Sequence, residues 1–193
     1  MDDRTIVNPV TGERCTFVET SRDSGGARTV ADLEVSPGGG VPSHRHLDHD
    51  ERIEVLEGEV EVTLDGVARR IGAGENVVIA AGTVHRWRNP SLDRNLRFRG
   101  SLVPGHPGFE LVLRVAFGLA RDGEARRNGL PRKLGDLALL AEWDPSLFVG
   151  PARVLAPLMR WMARRAHARG RADELVRRYG GDDQPRAHAP GAH

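Results

Sequence analysis

The chain is poor in cysteine, in lysine and in long apolar runs, and each shortage narrows what it can be. Cys15 is its only cysteine, so neither an intramolecular disulfide nor a cysteine-based zinc site can form. Lys133 is the only lysine among 28 basic residues, and the formal net charge is +1. Phosphate-binding surfaces normally combine lysine with arginine and carry a clear positive excess, so no nucleic acid partner is expected. No charge-free apolar run approaches the ~20 residues of a bilayer span. The opening "MDDRTIVNPV" lacks the basic-then-apolar layout of a secretion signal, so a cytoplasmic location is expected. No internal repeat and no helix-turn-helix pattern stands out. A hydrophobic content of 39% over 193 residues is enough for one core rather than two.

What is present falls into two halves. Up to about Pro104, β-branched residues alternate with polar ones between glycine-rich turns such as "SPGGGVP" and "IGAGE". "EVTLDGVARRI" reads as a hairpin, with Val60, Val62 and Leu64 on one face and Asp65-Gly66 as the tight turn. Short strands at regular spacing predict a mainly β sandwich or barrel over residues 1–104. Beyond Gly105 the period becomes helical. "FELVLRVAFGLA" spaces Leu111, Val115 and Leu119 along one stripe, and "LGDLALLAEW" forms a second helix stopped by Asp144-Pro145. "GPARVLAPLMRWMARRAHARG" forms a third, which Pro157 must either kink or start, and "RADELVRRY" a last piece. These make a helical extension over 105–180, followed by a polar, proline-containing tail at 181–193 that is expected to be disordered.

The stretch "HRHLDHDERIEVLEGE" gathers His44, His46, Asp48, His49, Asp50 and Glu51 before an alternating apolar run. Unpaired charges in such density are not tolerated by a strand core, and a metal held at a strand end accounts for both halves. His44 and His46 are two apart, so on a strand both rings point to one face. Glu51, Ile53 and Val55 also share a face, which turns the carboxylate toward the apolar interior. A second block, "GENVVIAAGTVHRWRN", supplies Gly74, Gly82, His85 and Asn89, with Ala80 where a proline is common.

Together, from Gly38 to Asn89, the two blocks resemble the paired signature motifs of the cupin superfamily, here of single-domain, mononuclear-metal cupins with a C-terminal helical extension. The resemblance implies a double-stranded β-helix, the cupin jelly-roll barrel, holding one divalent metal. Carried over by position, the implied ligands are His44, His46, Glu51 and His85. Three imidazoles and a carboxylate suit Fe, Mn, Zn, Ni or Cu, whereas calcium prefers more oxygens. Four protein ligands leave room on an octahedral metal for a small-molecule substrate, water or dioxygen.

The surroundings are read as follows. Trp87, Ile53, Val55 and Phe98 are expected to line a substrate pocket, although Trp87 fits a barrel core equally well. Asp48, His49 and Asp50 are expected to form a solvated loop, with His49 outside the ligand set and either aspartate able to orient a ligand imidazole. Arg97 and Arg99 are expected on the exterior, with the reversed register making them grips for a substrate carboxylate. Glu54, Glu57, Glu59 and Glu61 face outward, while the helices carry Arg153, Arg160, Arg164, Arg165, Arg169, Arg171, Arg177 and Arg178. The expectation is that these charges meet as the helices pack on a barrel, burying Leu155, Leu158 and Met162, within a homodimer. A basic helix on an anionic membrane surface is the lesser alternative. Function divides between a metal-dependent enzyme, of dioxygenase or isomerase/lyase type with no catalytic acid or base assigned, and a non-catalytic small-ligand binder or sensor.

Overall fold

The structure, a computed structural model, describes residues 4–144 and 155–181. The expected start of the third helix and all but the first residue of the expected tail lie outside them. Ten strands come first: β1 (Thr5–Asn8), β2 (Glu13–Glu19), β3 (Thr29–Val35), β4 (Gly40–His44), β5 (Asp50–Glu57), β6 (Glu59–Leu64), β7 (Val67–Gly72), β8 (Asn76–Ile79), β9 (His85–Arg88) and β10 (Leu96–Val103). They form two antiparallel sheets, ordered β1-β2-β3-β10-β5-β8 and β4-β9-β6-β7. The alternation predicts a sandwich or barrel and the resemblance implies a jelly roll; this is that jelly roll, and its inward positions make one core. Val35, Ile53, Val55, Leu96 and Phe98 from the larger sheet meet Val60, Val62 and Trp87 from the smaller.

Local chemistry explains the turns. Asp65 and Gly66 have φ of 44° and 89°, the doubly positive turn that matches the twist of the β6–β7 hairpin. Gly40 is needed for another reason: a Cβ there would run into the Trp87 carbonyl on β9, so its absence lets β4 and β9 approach beside the histidines.

Four helices are described: α1 (Pro107–Arg121), α2 (Leu134–Trp143), α3 (Ala156–Ala168) and α4 (Arg171–Tyr179). Pro157 lies in the first turn of α3 and does not kink it. Helix α1 is apolar on opposite sides. Leu111, Val115 and Leu119 bury against Leu139, Leu140 and Leu175 of the other helices. Leu113, Ala116 and Phe117 pack on Cys15, Phe17 and Ala31 of the barrel. The extension is thus seated on its own chain's barrel through α1. Burial holds the Cys15 thiol up to about 12, so this cysteine behaves as a small apolar residue.

Two expectations are corrected. In α3 the buried face is Ala163 and Ala166, with Met159 and Met162 partly buried. Leu158 and Trp161 are 52% and 50% exposed, and Leu155 is exposed as well. Small side chains let α3 approach α2 closely, and that selects the alanine face over the leucine face. The outward glutamates, in turn, meet arginines of their own barrel rather than those of the helices. Strand register sets Glu61 opposite both Arg70 and Arg88, and Glu57 opposite Arg97. The helices settle their charges internally: Arg171 grips buried Asp136 with two bonds of 2.9 and 2.7 Å, and the Tyr179 hydroxyl donates to Asp122 at 2.7 Å.

Candidate metal centre

Three elements and one loop deliver the histidines and Glu51. His44 ends β4 and pairs in register with His85, the first residue of β9, while Glu51 stands on β5 opposite Leu102 of β10. His46 is not on a strand, contrary to the expectation that it extends the strand face of His44. Its loop is held by the Gly82 amide, which donates to the His46 carbonyl at 2.6 Å. All four side chains are buried, and their ligand atoms lie within 4.8 Å of one another. Glu51 Oε2 is 3.1 Å from His46 Nε2 and 3.0 Å from His85 Nε2.

Backbone carbonyls fix the tautomers. A carbonyl oxygen only accepts, so His44 Nδ1 donates to Pro42 at 2.9 Å and His85 Nδ1 donates to Thr83 at 3.0 Å. In the neutral rings both Nε2 atoms then carry lone pairs. A lone pair on His85 Nε2 facing the Glu51 carboxylate at 3.0 Å is repulsive unless a cation lies between them, either a proton or a metal. The donor set therefore fits a divalent ion of the nitrogen-and-oxygen type.

The titration of these groups follows from the same arrangement. Burial raises the Glu51 carboxyl, but hydrogen bonds from His46 and His85 more than offset this and hold it well below the carboxylate range. Burial depresses His85, while its bonds to Glu51 and the Thr83 carbonyl raise it further, leaving it above 6.5. Burial, joined by repulsion from His85, pushes His44 down to about 4. His85 is thus where a proton competes with a metal, and His44 is already neutral at ordinary pH.

The loop residues are placed differently from expectation. Asp48 and Asp50 are exposed, but His49 is only 2% exposed. Its Nδ1 lies 2.9 Å from Asp48, and its ring contacts His46 at 4.3 Å, tilted, and His106 at 4.9 Å, edge to face. The helical extension causes this, since His106 caps α1 and covers the loop from above. Neither aspartate orients a ligand imidazole: Asp48 bonds His49, and Asp50 accepts from the Ala81 amide. Arg97 and Arg99 stand outside as expected, Arg99 in a two-bond pair with Asp32.

A cavity of about 150 Å³ adjoins His44, His46 and Glu51. Of the expected lining residues, Trp87 and Phe98 border it, in edge-to-face contact at 5.0 Å. Ile53 and Val55 do not, since they are consumed by the core between the sheets. The remaining wall was not foreseen: Phe109, Val112, Leu113 and Phe117 of α1, Asp144 after α2, and Glu13 and Thr29 of the barrel. The signal available was the second apolar stripe of α1, Phe109, Leu113 and Phe117 at intervals of four, opposite the stripe that packs the helices.

A family model described as Cupin domain matches residues 31–100. Quercetin 2,3-dioxygenase of Bacillus subtilis (strain 168) is 36% identical over 76 residues, which are 39% of this chain but 23% of that protein. This chain therefore spans about a quarter of the curated relative it matches. An RmlC-like cupin from Shewanella frigidimarina NCIMB 400 aligns at 19% identity and a TM-score of 0.47, over 56% of this chain and 92% of that one. KdgF from Halomonas sp. aligns at 22% and 0.43, over 48% and 79%. Among the described residues, no helix is long and apolar enough to cross a membrane. With matching motifs, a matching domain model and the two-sheet barrel, residues 31–100 form a cupin domain.

Proposed function

We propose that the chain holds one divalent metal through His44, His46, Glu51 and His85 and uses it to act on a small organic molecule in the adjoining cavity. The observation that carries this reading is the buried convergence of two imidazole Nε2 atoms on one Glu51 oxygen at 3.0–3.1 Å. A bound metal of this donor set supplies Lewis-acid activation, or dioxygen chemistry if it is redox-active. The chain's own residues orient the ligand rings through the Pro42 and Thr83 carbonyls and exclude water with Trp87, Phe98 and α1. Glu13, which burial holds above the usual carboxyl range despite a bond from Thr11, is the group suited to accept or deliver a proton there.

The dioxygenase relative supports an oxygenase within this class, but a cavity of about 150 Å³ is too small for its three-ring flavonol. Elemental analysis of untagged protein, purified without chelator, tests the metal. One ion per chain is expected, iron favouring oxygen chemistry and zinc or manganese favouring isomerisation or elimination. A metal-free, stable protein overturns the reading. A non-catalytic binder is the second reading, favoured by the enclosure of the cavity, and it predicts ligand binding without turnover. Exposed Val67 and Val78 on edge strands β7 and β8 support a homodimer, which sedimentation velocity tests.

A further inference from the structure

The cavity beside the histidines has an asymmetric chemistry. At one end stand His44, His46 and Glu51, while most of its wall is aromatic and aliphatic, supplied by Trp87 and Phe98 of the barrel and Val112 and Leu113 of α1. Among the described residues, its charged residues beyond the ligand set are the acidic Glu13 and Asp144, and no described arginine or lysine lines it. Arg99 is turned outward onto Asp32, and the Arg114 guanidinium lies 4.7 Å over the Phe17 ring, outside the lining.

We propose that this cavity accepts a compact, uncharged ligand with an aromatic or branched apolar body and one oxygen directed at the metal, and that it rejects carboxylate- and phosphate-bearing molecules. The inference deepens the metal-centre reading and rests on it for the oxygen-binding end.

Three observations lead there. The first is volume: an apolar cavity of about 150 Å³ holds a molecule the size of benzene. The second is charge. An anionic ligand entering this space loses its hydration and, among the described residues, finds no guanidinium or ammonium in the wall. The metal's charge is already partly met by Glu51, and Glu13 faces the same space. The third is rigidity. The α1 wall is tied to the barrel by buried Glu110, which accepts from the Ser21 amide at 2.6 Å and the Thr29 hydroxyl at 2.5 Å. The His106 amide donates to the same Thr29 oxygen at 3.1 Å. A wall held this way sets an upper bound on ligand size.

The test uses the full-length protein, as purified and after chelation, titrated calorimetrically with benzyl alcohol, phenol, benzoate and oxalate. Benzyl alcohol and benzoate share a ring and differ mainly in charge. Benzyl alcohol is expected to bind about tenfold or more tightly than benzoate, with oxalate weaker still. Leu113→Trp fills the cavity from α1 and should abolish benzyl alcohol binding while metal content stays unchanged. If that variant misfolds, Gly100→Ala serves: its Cβ would meet Leu33 at 3.4 Å, Phe98 at 3.7 Å and the Ala31 carbonyl oxygen at 3.9 Å, and it narrows the same space. Binding of benzoate or oxalate equal to or tighter than that of benzyl alcohol overturns the proposal, as does failure of both neutral probes to bind. Selection for the neutral probes in a protein that takes up no metal would sustain the cavity and overturn the metal centre alone, so the two failures are distinguishable.

Discussion

His85 Nε2 and Glu51 Oε2 lie 3.0 Å apart across 34 residues of sequence, and His46 Nε2 lies 3.1 Å from the same oxygen. Two acceptor groups this close require a cation. His46→Ala and His85→Ala are therefore expected to lose most of their bound metal, measured by mass spectrometry of the purified variants. His49→Ala should keep nearly the wild-type content, because His49 lies outside the four-residue group and bonds Asp48 instead. Metal loss in His49→Ala equal to that in His46→Ala would falsify this ligand set.

Proton competition gives a second expectation. His85 has its proton affinity raised above the ordinary 6.5, so in the metal-free site it is more than half protonated at pH 6.5, while His44, depressed to about 4, is neutral there. Metal uptake at pH 6 should then release a proton from most His85 rings, and progressively fewer as pH rises above its pKa. Below that pKa the apparent affinity should fall roughly tenfold per pH unit. Calorimetry in buffers of different ionisation enthalpy measures the proton count. A count near zero at pH 6 would show that His85 is not the competing group.

The helical core offers a contrast between a buried leucine and an exposed one. Leu139 and Leu175 have no exposed surface, so Leu139→Ala or Leu175→Ala should cost about 2–5 kcal/mol. Leu158→Ala, on the exposed face of α3, should change stability by no more than about 0.5 kcal/mol. Urea denaturation of the three variants ranks them directly, and a large loss in Leu158→Ala would mean that its face is covered by something.

Glu110 joins the two halves of the chain. Glu110→Ala leaves the Ser21 amide and the Thr29 hydroxyl without their acceptor, at about 1–3 kcal/mol for each buried donor. Glu110→Gln keeps an acceptor oxygen in place and should recover much of the loss in thermal denaturation. Truncation after Pro104 removes the whole wall and strips the cover from Cys15 and Phe17, so it should lower the melting temperature far more than either variant or leave the barrel insoluble.

The barrel and the histidine cluster were legible in the sequence because they depend on short-range regularities. Alternation brings Glu51, Ile53 and Val55 to one face, and Asp65-Gly66 needs only its own backbone preferences to turn the chain. His44 and Glu51 lie within one block of sixteen residues, and the resemblance to a known pair of motifs added His85. Only the tertiary structure decided what faces the metal centre. Helix α1 carries two apolar stripes, and periodicity alone cannot tell which packs on helices and which closes the cavity, because both are equally hydrophobic. Strand register, a long-range property, gave Glu57 and Glu61 to arginines of neighbouring strands, while Arg171 and Arg178 of the helices pair with Asp136 and Asp122. Likewise His49 has the composition of a solvated loop around it, yet it is buried, because His106 arrives from more than fifty residues further along the chain and shields it from water.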